Sequence, residues 1–267
     1  NEEMISSAEL SRAACCNLGE SFVTNPSVDV SYSDAATGAK QIKLLGLSGT
    51  YVQMLTENIP NYRGAASPYG LGYVPGPWMQ SIQVSKGISS VKNGYEAITG
   101  QINVEFKKPQ LPEADWVSAN LFASSTNRYE ANADATLKLS KRWSTSLLAH
   151  YENETKAHDG NDDGFVDIPQ VEQYNVWNRW AYMGDHYVFQ AGFKALSESR
   201  TSGQAHHTDM QTGDLYKVGI DTERYELFTK NAYIFNKEKN TNLALILSAS
   251  WHNQDAMSVS YTHLRAH

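Results

Sequence analysis

Residues 129–152 read YEANADATLKLSKRWSTSLLAHYE, and their spacing decides the fold. Tyr129, Ala131, Ala133, Ala135, Leu137 and Leu139 alternate with Glu130, Asn132, Asp134, Thr136 and Lys138. After a short break at 140–142, Trp143, Thr145, Leu147, Ala149 and Tyr151 alternate with Ser144, Ser146, Leu148, His150 and Glu152. Successive side chains on a strand point to opposite faces, so each segment has one apolar and one mostly polar face. Each runs to about ten residues where five or six is usual, and about ten is the length that crosses a bilayer when tilted.

Working outward, the same period sets five more strands, at 116–124, 174–183, 187–197, 223–235 and 242–254. In the last, Leu243, Leu245, Leu247, Ala249 and Trp251 share one face. The connections 125–128, 140–142, 184–186 and 236–241 are short, whereas 154–173 and 198–222 are long. Outer-membrane barrels have short turns at one rim and longer loops at the other. Trp116, Tyr129, Trp143, Tyr151, Tyr174, Tyr187 and Trp251 fall near strand ends, as aromatic girdles require. Seven strands leave unpaired edges that lipid does not tolerate, so the reading requires further strands. A soluble β-sandwich or adhesion module also alternates, and it remains the competing architecture.

The bulk composition narrows the function classes. The 267 residues hold 22 Lys+Arg against 29 Asp+Glu, a net charge of -7, which lacks the basic footprint of a nucleic-acid binder. No run of about 18 apolar residues is present to form a transmembrane helix, which says nothing against strands. A mean hydropathy of -0.48 is compatible with a barrel. The sequence starts at Asn1 with no signal peptide, so an exported protein is expected to be processed or truncated here. It holds no nucleophile–base arrangement, phosphate-binding glycine loop or zinc spacing, so no enzyme is expected.

Residues 1–112 have a different texture, α+β with Gly and Pro punctuation. The spacing predicts a helix over 8–22, with Leu10, Ala14, Leu18 and Phe22 on one side. Strands are expected at 28–32, 41–45, 51–55, 82–84 and 101–106. A Gly- and Pro-rich loop at 58–77 and a segment at 87–100 lie between them.

Residues 78–109 read WMQSIQVSKGISSVKNGYEAITGQINVEFKKP. This stretch resembles the end of the plug domain of TonB-dependent receptors. That pattern has an I-E-V-type strand, K/R-G, small residues, a Y-G element, a further Gly, and I-N-V before T/K-K-P. Ile82, Val84, Lys86, Gly87, Ser89, Ser90, Tyr95, Gly100, Ile102, Asn103, Val104, Lys108 and Pro109 stand in those places. Upstream, VQMLTENIP at 52–60 resembles the family's strand and turn, where Glu57-Asn58 replaces the usual Asp-Gly. Asn93-Gly94-Tyr95 likewise departs from the tyrosine-then-glycine order. Together with Pro75-Gly76-Pro77-Trp78, the stretch looks most similar to receptors of Bacteroidetes-type bacteria. Gly87, Gly94 and Gly100 suit the tight turns and close backbone approach of a domain wedged inside a barrel, and equally serve as ordinary turn glycines.

The resemblance implies a fold: an α+β plug domain (1–112), followed by antiparallel transmembrane β-barrel strands (113–259) of an incomplete barrel. The tail 260–267 (SYTHLRAH) breaks the alternation and resembles translated adaptor sequence. The family barrel has 22 strands, so the chain is expected to be cut at both ends. The resemblance also implies a place in the bacterial outer membrane, with the plug on the periplasmic side of the barrel lumen and lipid around the wall. It implies energised uptake of a scarce small ligand such as a metal chelate, driven by the TonB-ExbB-ExbD complex. Ferric siderophore, haem, cobalamin, copper and glycan are all open as ligand. A receptor that senses ligand with little transport, or recruits a surface lipoprotein, is the alternative.

Four groups of residues are candidate sites. Tyr62, Arg63, Tyr69 and Tyr73 form the ligand-facing apex, since tyrosines give large contact area and Arg suits anionic chelates. A structural plug loop is the alternative. Asp159, Asn161, Asp163 and Asp167, with the Phe165 carbonyl and Gly164 at the turn, have the oxygen-ligand spacing of a calcium loop. Position twelve is Gln170 rather than Glu, so weak Ca2+ binding that orders the loop is expected, against a plain solvated acidic loop. No cofactor is required. His206 and His207, with Asp209, have transition-metal chemistry in what otherwise reads as a polar loop. Cys15 and Cys16 suit a soft metal, or simply pack in the plug helix.

Overall fold

The computed structural model describes residues 2–13, 17–22, 25, 27–34, 36–44, 52–87, 96, 98, 100–109, 117–205, 215–239 and 241–259. They form two sheets of consequence. The first has five strands in the order β1-β6-β7-β4-β5. These are β1 (Glu2–Ser6), β4 (Val52–Thr56), β5 (Ile59–Pro60), β6 (Met79–Lys86) and β7 (Gly100–Phe106). All neighbours are antiparallel except β4 and β7, which are parallel. A separate hairpin pairs β2 (Val28–Asp34) with β3 (Ala39–Leu44). Trp78, Ile82, Val84, Ile102, Val104 and Phe106 fill the core between these pieces.

The helix α1 spans Ser7–Ala13, which corrects the expected helix over 8–22. Leu18 turns its N–H out to the carbonyl of Val74 at 2.9 Å, and the Asn17 side chain accepts from the N–H of Glu20. Both bonds replace helical ones, and residues 20–22 continue only as a 3-10 turn. Sequence reading missed β1, which is an edge strand, and the two-residue β5. Between β4 and β5 the turn residues Glu57 and Asn58 have φ of 55° and 61°. Two consecutive residues at positive φ make a type I′ turn, whose twist matches that of the strands it joins.

The second sheet has seven antiparallel strands in sequence order, β8 to β14. They are β8 (Val117–Ala123), β9 (Tyr129–Lys138), β10 (Trp143–Glu154), β11 (Gln170–Met183), β12 (Tyr187–Gly203), β13 (Lys217–Asn236) and β14 (Thr241–Val259). The number is that expected. The lengths are not: β13 has 20 residues and β14 has 19. At a rise near 3.3 Å, 20 residues reach roughly 65 Å, far beyond a ~30 Å hydrocarbon core. The extra residues of β11, β12 and β13 come mainly from the long connections, which shrink to 155–169 and 204–216, whereas β14 runs on past residue 254 to Val259. Beyond the apolar stretch, the outward positions turn polar, as Asp221 and Glu223 do on β13, so alternation in hydropathy stops while the strand continues.

The burial pattern is inverted relative to a soluble sheet. On β10, Ser144, Ser146, His150 and Glu152 are buried, as are Gln173, Asn175 and Arg179 on β11 and Lys194 and Glu198 on β12. The apolar row is the exposed one: Val176, Phe193, Leu227, Leu245 and Leu247 among others. A sandwich buries the apolar row, so the soluble module expected as a competitor does not fit. Two belts of rings bound this band. Trp143, Tyr182, Tyr187 and Phe189 cluster at the short-turn rim, and Tyr151–Tyr174 and Tyr225–Trp251 lie toward the long-loop rim. This is the apolar band and paired girdle of a transmembrane barrel wall. The sheet is open, with β8 and β14 at its edges, and so forms part of a barrel.

Candidate functional site

The plug sits on the polar face of this wall, and one apolar anchor fixes their approach. Trp78 and Phe106 of the plug meet edge to face at 5.9 Å, and Phe106 meets Trp177 of β11 at 4.8 Å. Trp177 in turn stacks on Phe228 of β13. Gly192, on the strand between them, leaves room for this stack: a Cβ there would lie 2.3 Å from the Phe228 ring.

Around the anchor, wall side chains donate to plug backbone carbonyls. Lys194 Nζ reaches the Tyr73 carbonyl at 2.7 Å, and Asn175 Nδ2 reaches the same oxygen at 3.0 Å. Gln173 Nε2 donates to Gly72, Lys230 Nζ to Glu57, and Arg200 Nη1 to Thr37. Ion pairs add to these bonds. Arg179 meets Glu57, Arg128 meets Glu20, and Lys107 of the plug meets Asp134. A polar seam desolvates many groups, and buried polar groups persist only when hydrogen-bonded. Sequence reading gave the wall strands a polar face but missed its plug partners. Strand period tells which face a residue takes, not what lies opposite.

The four residues of the expected apex divide in two. Tyr62 is 4% exposed and Tyr73 is 0% exposed, and their rings pack edge to face at 6.1 Å. Lys194 donates to the Tyr62 hydroxyl at 2.9 Å, and Lys194 and Arg224 both lie over the Tyr62 ring at 5.4 Å. Burial, reinforced by the charge of Glu226, raises the Tyr62 pKa well above the ordinary tyrosine value, and burial does the same to Tyr73. Both hydroxyls therefore remain protonated. Arg63 and Tyr69 are placed differently. The Arg63 side chain is 55% exposed and pairs with Glu96 at 2.8 Å. Tyr69 lies under the Arg200 guanidinium at 5.1 Å and lines a cavity of about 230 Å³ between plug and wall, with Lys40, Arg128, Glu152 and Glu198.

The loop 159–167 folds upon itself. Asp159 accepts from the N–H groups of Asp163 and Gly164, Asp163 accepts from Phe165 N–H, and Asp167 accepts from Gly160 N–H. Phe165 bridges to Gln204, so the two long connections are zipped together at their bases. Among the described residues, no three His, Cys, Asp or Glu side chains gather as metal ligands do. His206, His207, Cys15 and Cys16 lie outside the described residues, as do the motif residues Ser89, Ser90 and Tyr95 and the tail 260–267.

A compact α+β domain, held by its polar surface on the polar face of an otherwise apolar transmembrane sheet, defines a plugged barrel. Residues 1–101 match the family model of the TonB-dependent Receptor Plug Domain, and the seven-stranded wall follows that match in the chain. No curated protein sequence matches the chain. Among solved structures, it is similar to the ferric yersiniabactin uptake receptor of Yersinia pestis, at 16% identity and a TM-score of 0.68 over 97% of this chain and 41% of that one. It is also similar to a siderophore receptor of Acinetobacter baumannii, at 13% identity and a TM-score of 0.73 over 96% and 37%. A copper transporter matches at 12% identity and a TM-score of 0.65 over 100% and 49%. The chain thus spans less than half the length of these structures, and the likeness is one of fold. The family is one of receptors rather than enzymes.

Proposed function

We propose that the chain, with plug at 1–112 and wall at 113–259, belongs to an outer-membrane receptor that imports a small metal chelate using energy from the TonB-ExbB-ExbD complex. The observation that carries this reading is the polar seam between plug and wall. Two surfaces joined by hydrogen bonds and ion pairs separate into water at far lower cost than two apolar ones, which suits a domain that must shift in a channel. In this reading the long-loop rim faces outward, the plug enters from the periplasmic side, and the exposed apolar band lies in lipid.

Arg63 and Tyr69 are the apex residues for ligand contact. Arg63 offers a planar cationic fork to an anionic chelate, and Tyr69 offers a ring at the mouth of the cavity. Tyr62 and Tyr73 hold that apex to the wall. The loop 159–167 takes Ca2+ weakly and stiffens the rim. Siderophore and copper receptors share the fold, which makes iron and copper chelates the first ligands to try.

The test is accumulation of radiolabelled iron and copper chelates by cells carrying the whole receptor, with and without TonB. Accumulation that needs both receptor and TonB is expected. Uptake that is equal in cells lacking TonB would overturn the reading.

A further inference from the structure

We propose that Glu57 is a seating lock, a positioning residue at the tip of the plug hairpin that two wall cations hold in place to seal the plug against the barrel. Three independent observations meet at this residue. First, its backbone is strained: Glu57 has φ of 55° at a turn where Gly, Asn or Asp are the ordinary occupants. A residue persists in such a conformation when its surroundings over-determine it, and such residues concentrate at functional sites. Second, its carboxylate is 1% exposed, and its Oε1 accepts the N–H of Phe106 at 2.8 Å. Third, the cations within ion-pair distance among the described residues both come from the wall. Arg179 Nη2 of β11 bonds Oε1, and Lys230 Nζ of β13 lies 3.9 Å from Oε2 and donates to the Glu57 carbonyl.

A buried charge needs a partner, and Glu57 has it only when the plug is seated in this register. The same holds in reverse for Arg179, whose side chain is 0% exposed on the lumen side of the wall. A glycine at this turn would relieve the strain and lose the lock. The lock rests on the plug-in-barrel fold and is independent of which ligand is carried.

The experiment uses the whole receptor in its outer membrane, as wild type and as Glu57→Gln, Arg179→Met, Arg179→Lys and the Glu57→Gln/Arg179→Met double variant. Vancomycin, too large to cross an intact outer membrane, is the probe, and heat-modifiable gel migration reports whether the barrel is folded. With folded barrels, E57Q and R179M are expected to lower the vancomycin concentration that stops growth several-fold. R179K should stay near wild type, and the double variant should be no leakier than the worse single one. The leak should persist in cells lacking TonB, because the seal is passive, so a failure of energised uptake leaves this result standing. Folded E57Q and R179M receptors as tight as wild type, or R179K as leaky as R179M, would overturn the proposal. Should R179M not fold, Lys230→Met decides, since it keeps the buried pair and removes the second cation: a partial leak supports the lock, and wild-type tightness overturns it.

Discussion

Lys194, on wall strand β12, donates a 2.7 Å hydrogen bond to the carbonyl oxygen of Tyr73 in the plug. The same ammonium reaches the Tyr62 hydroxyl at 2.9 Å and lies 3.6 Å from Glu226. A fully buried lysine thus holds both ends of the loop 62–73 against the wall. The contact reads a backbone atom at Tyr73, so the side chains of the loop between can vary while the clasp is kept.

Lys194→Met is expected to loosen this loop without unfolding the barrel. Hydrogen bonds to charged groups contribute about 1.5–3 kcal/mol each, and Asn175 still holds the Tyr73 oxygen in the variant. Hydrogen exchange on the receptor in detergent should show faster amide exchange over 62–74 and unchanged exchange in β10 to β13. Unchanged exchange in the loop would remove the clasp from the account.

Gly192→Ala is expected to disturb the aromatic anchor, because the added Cβ meets both Phe228 and Trp177 inside normal contact. Overpacking of this kind costs roughly 1–3 kcal/mol. Phe228→Leu should restore part of the loss when combined with it, whereas a Phe228→Leu substitution alone should destabilise. Urea titration of the folded receptor, with the plug read by tryptophan fluorescence, checks the sign of the coupling.

Leu245→Arg separates a lipid-facing surface from a watery one. Leu245 is 53% exposed and belongs to the outward apolar row of β14, between Leu243 and Leu247. On the lipid face near mid-membrane, Arg costs about 2–4 kcal/mol, and on a water-exposed surface it costs within about 0.5 kcal/mol. Folding titrations into lipid vesicles should show the larger loss, and a loss within error would place this face in water.

Calcium is expected to protect the loop 155–169 from proteolysis at concentrations on the order of 10⁻⁴–10⁻³ M, the range of extracellular modules. The carboxylates of Asp159 and Asp163 already brace the turn through backbone N–H groups, so the loop keeps its shape without the ion and gains only rigidity. Asp159→Asn combined with Asp163→Asn should abolish the protection. Equal cleavage with calcium and with a chelator would leave the loop as a self-capped acidic turn.

Period two in residues 129–152 and its repeats was enough to set the number and the faces of the seven wall strands, because lipid on one side and a polar partner on the other impose the alternation residue by residue. Their antiparallel pairing was implied by the resemblance. The same alternation under-measured β12, β13 and β14, since it reports the environment of a strand and not its hydrogen bonds. The motif at 78–109 identified the plug through positions such as Gly100, where a Cβ would lie 2.1 Å from the Ser85 carbonyl oxygen.

What the sequence could not hold was which plug group meets which wall group. Glu57 and Arg179 are 122 positions apart, and Tyr62 and Lys194 are 132 apart. Nothing local to either partner marks it as paired. Tyr62 and Tyr73 have the composition of a binding loop, yet both rings are buried, and Lys194 and Arg224 lie over that of Tyr62. Local pattern therefore determined the strands and their faces, through the short-range geometry of the backbone. The seam, the lock at Glu57 and the division of the apex were decided by tertiary structure, through desolvation that only the docked surfaces impose.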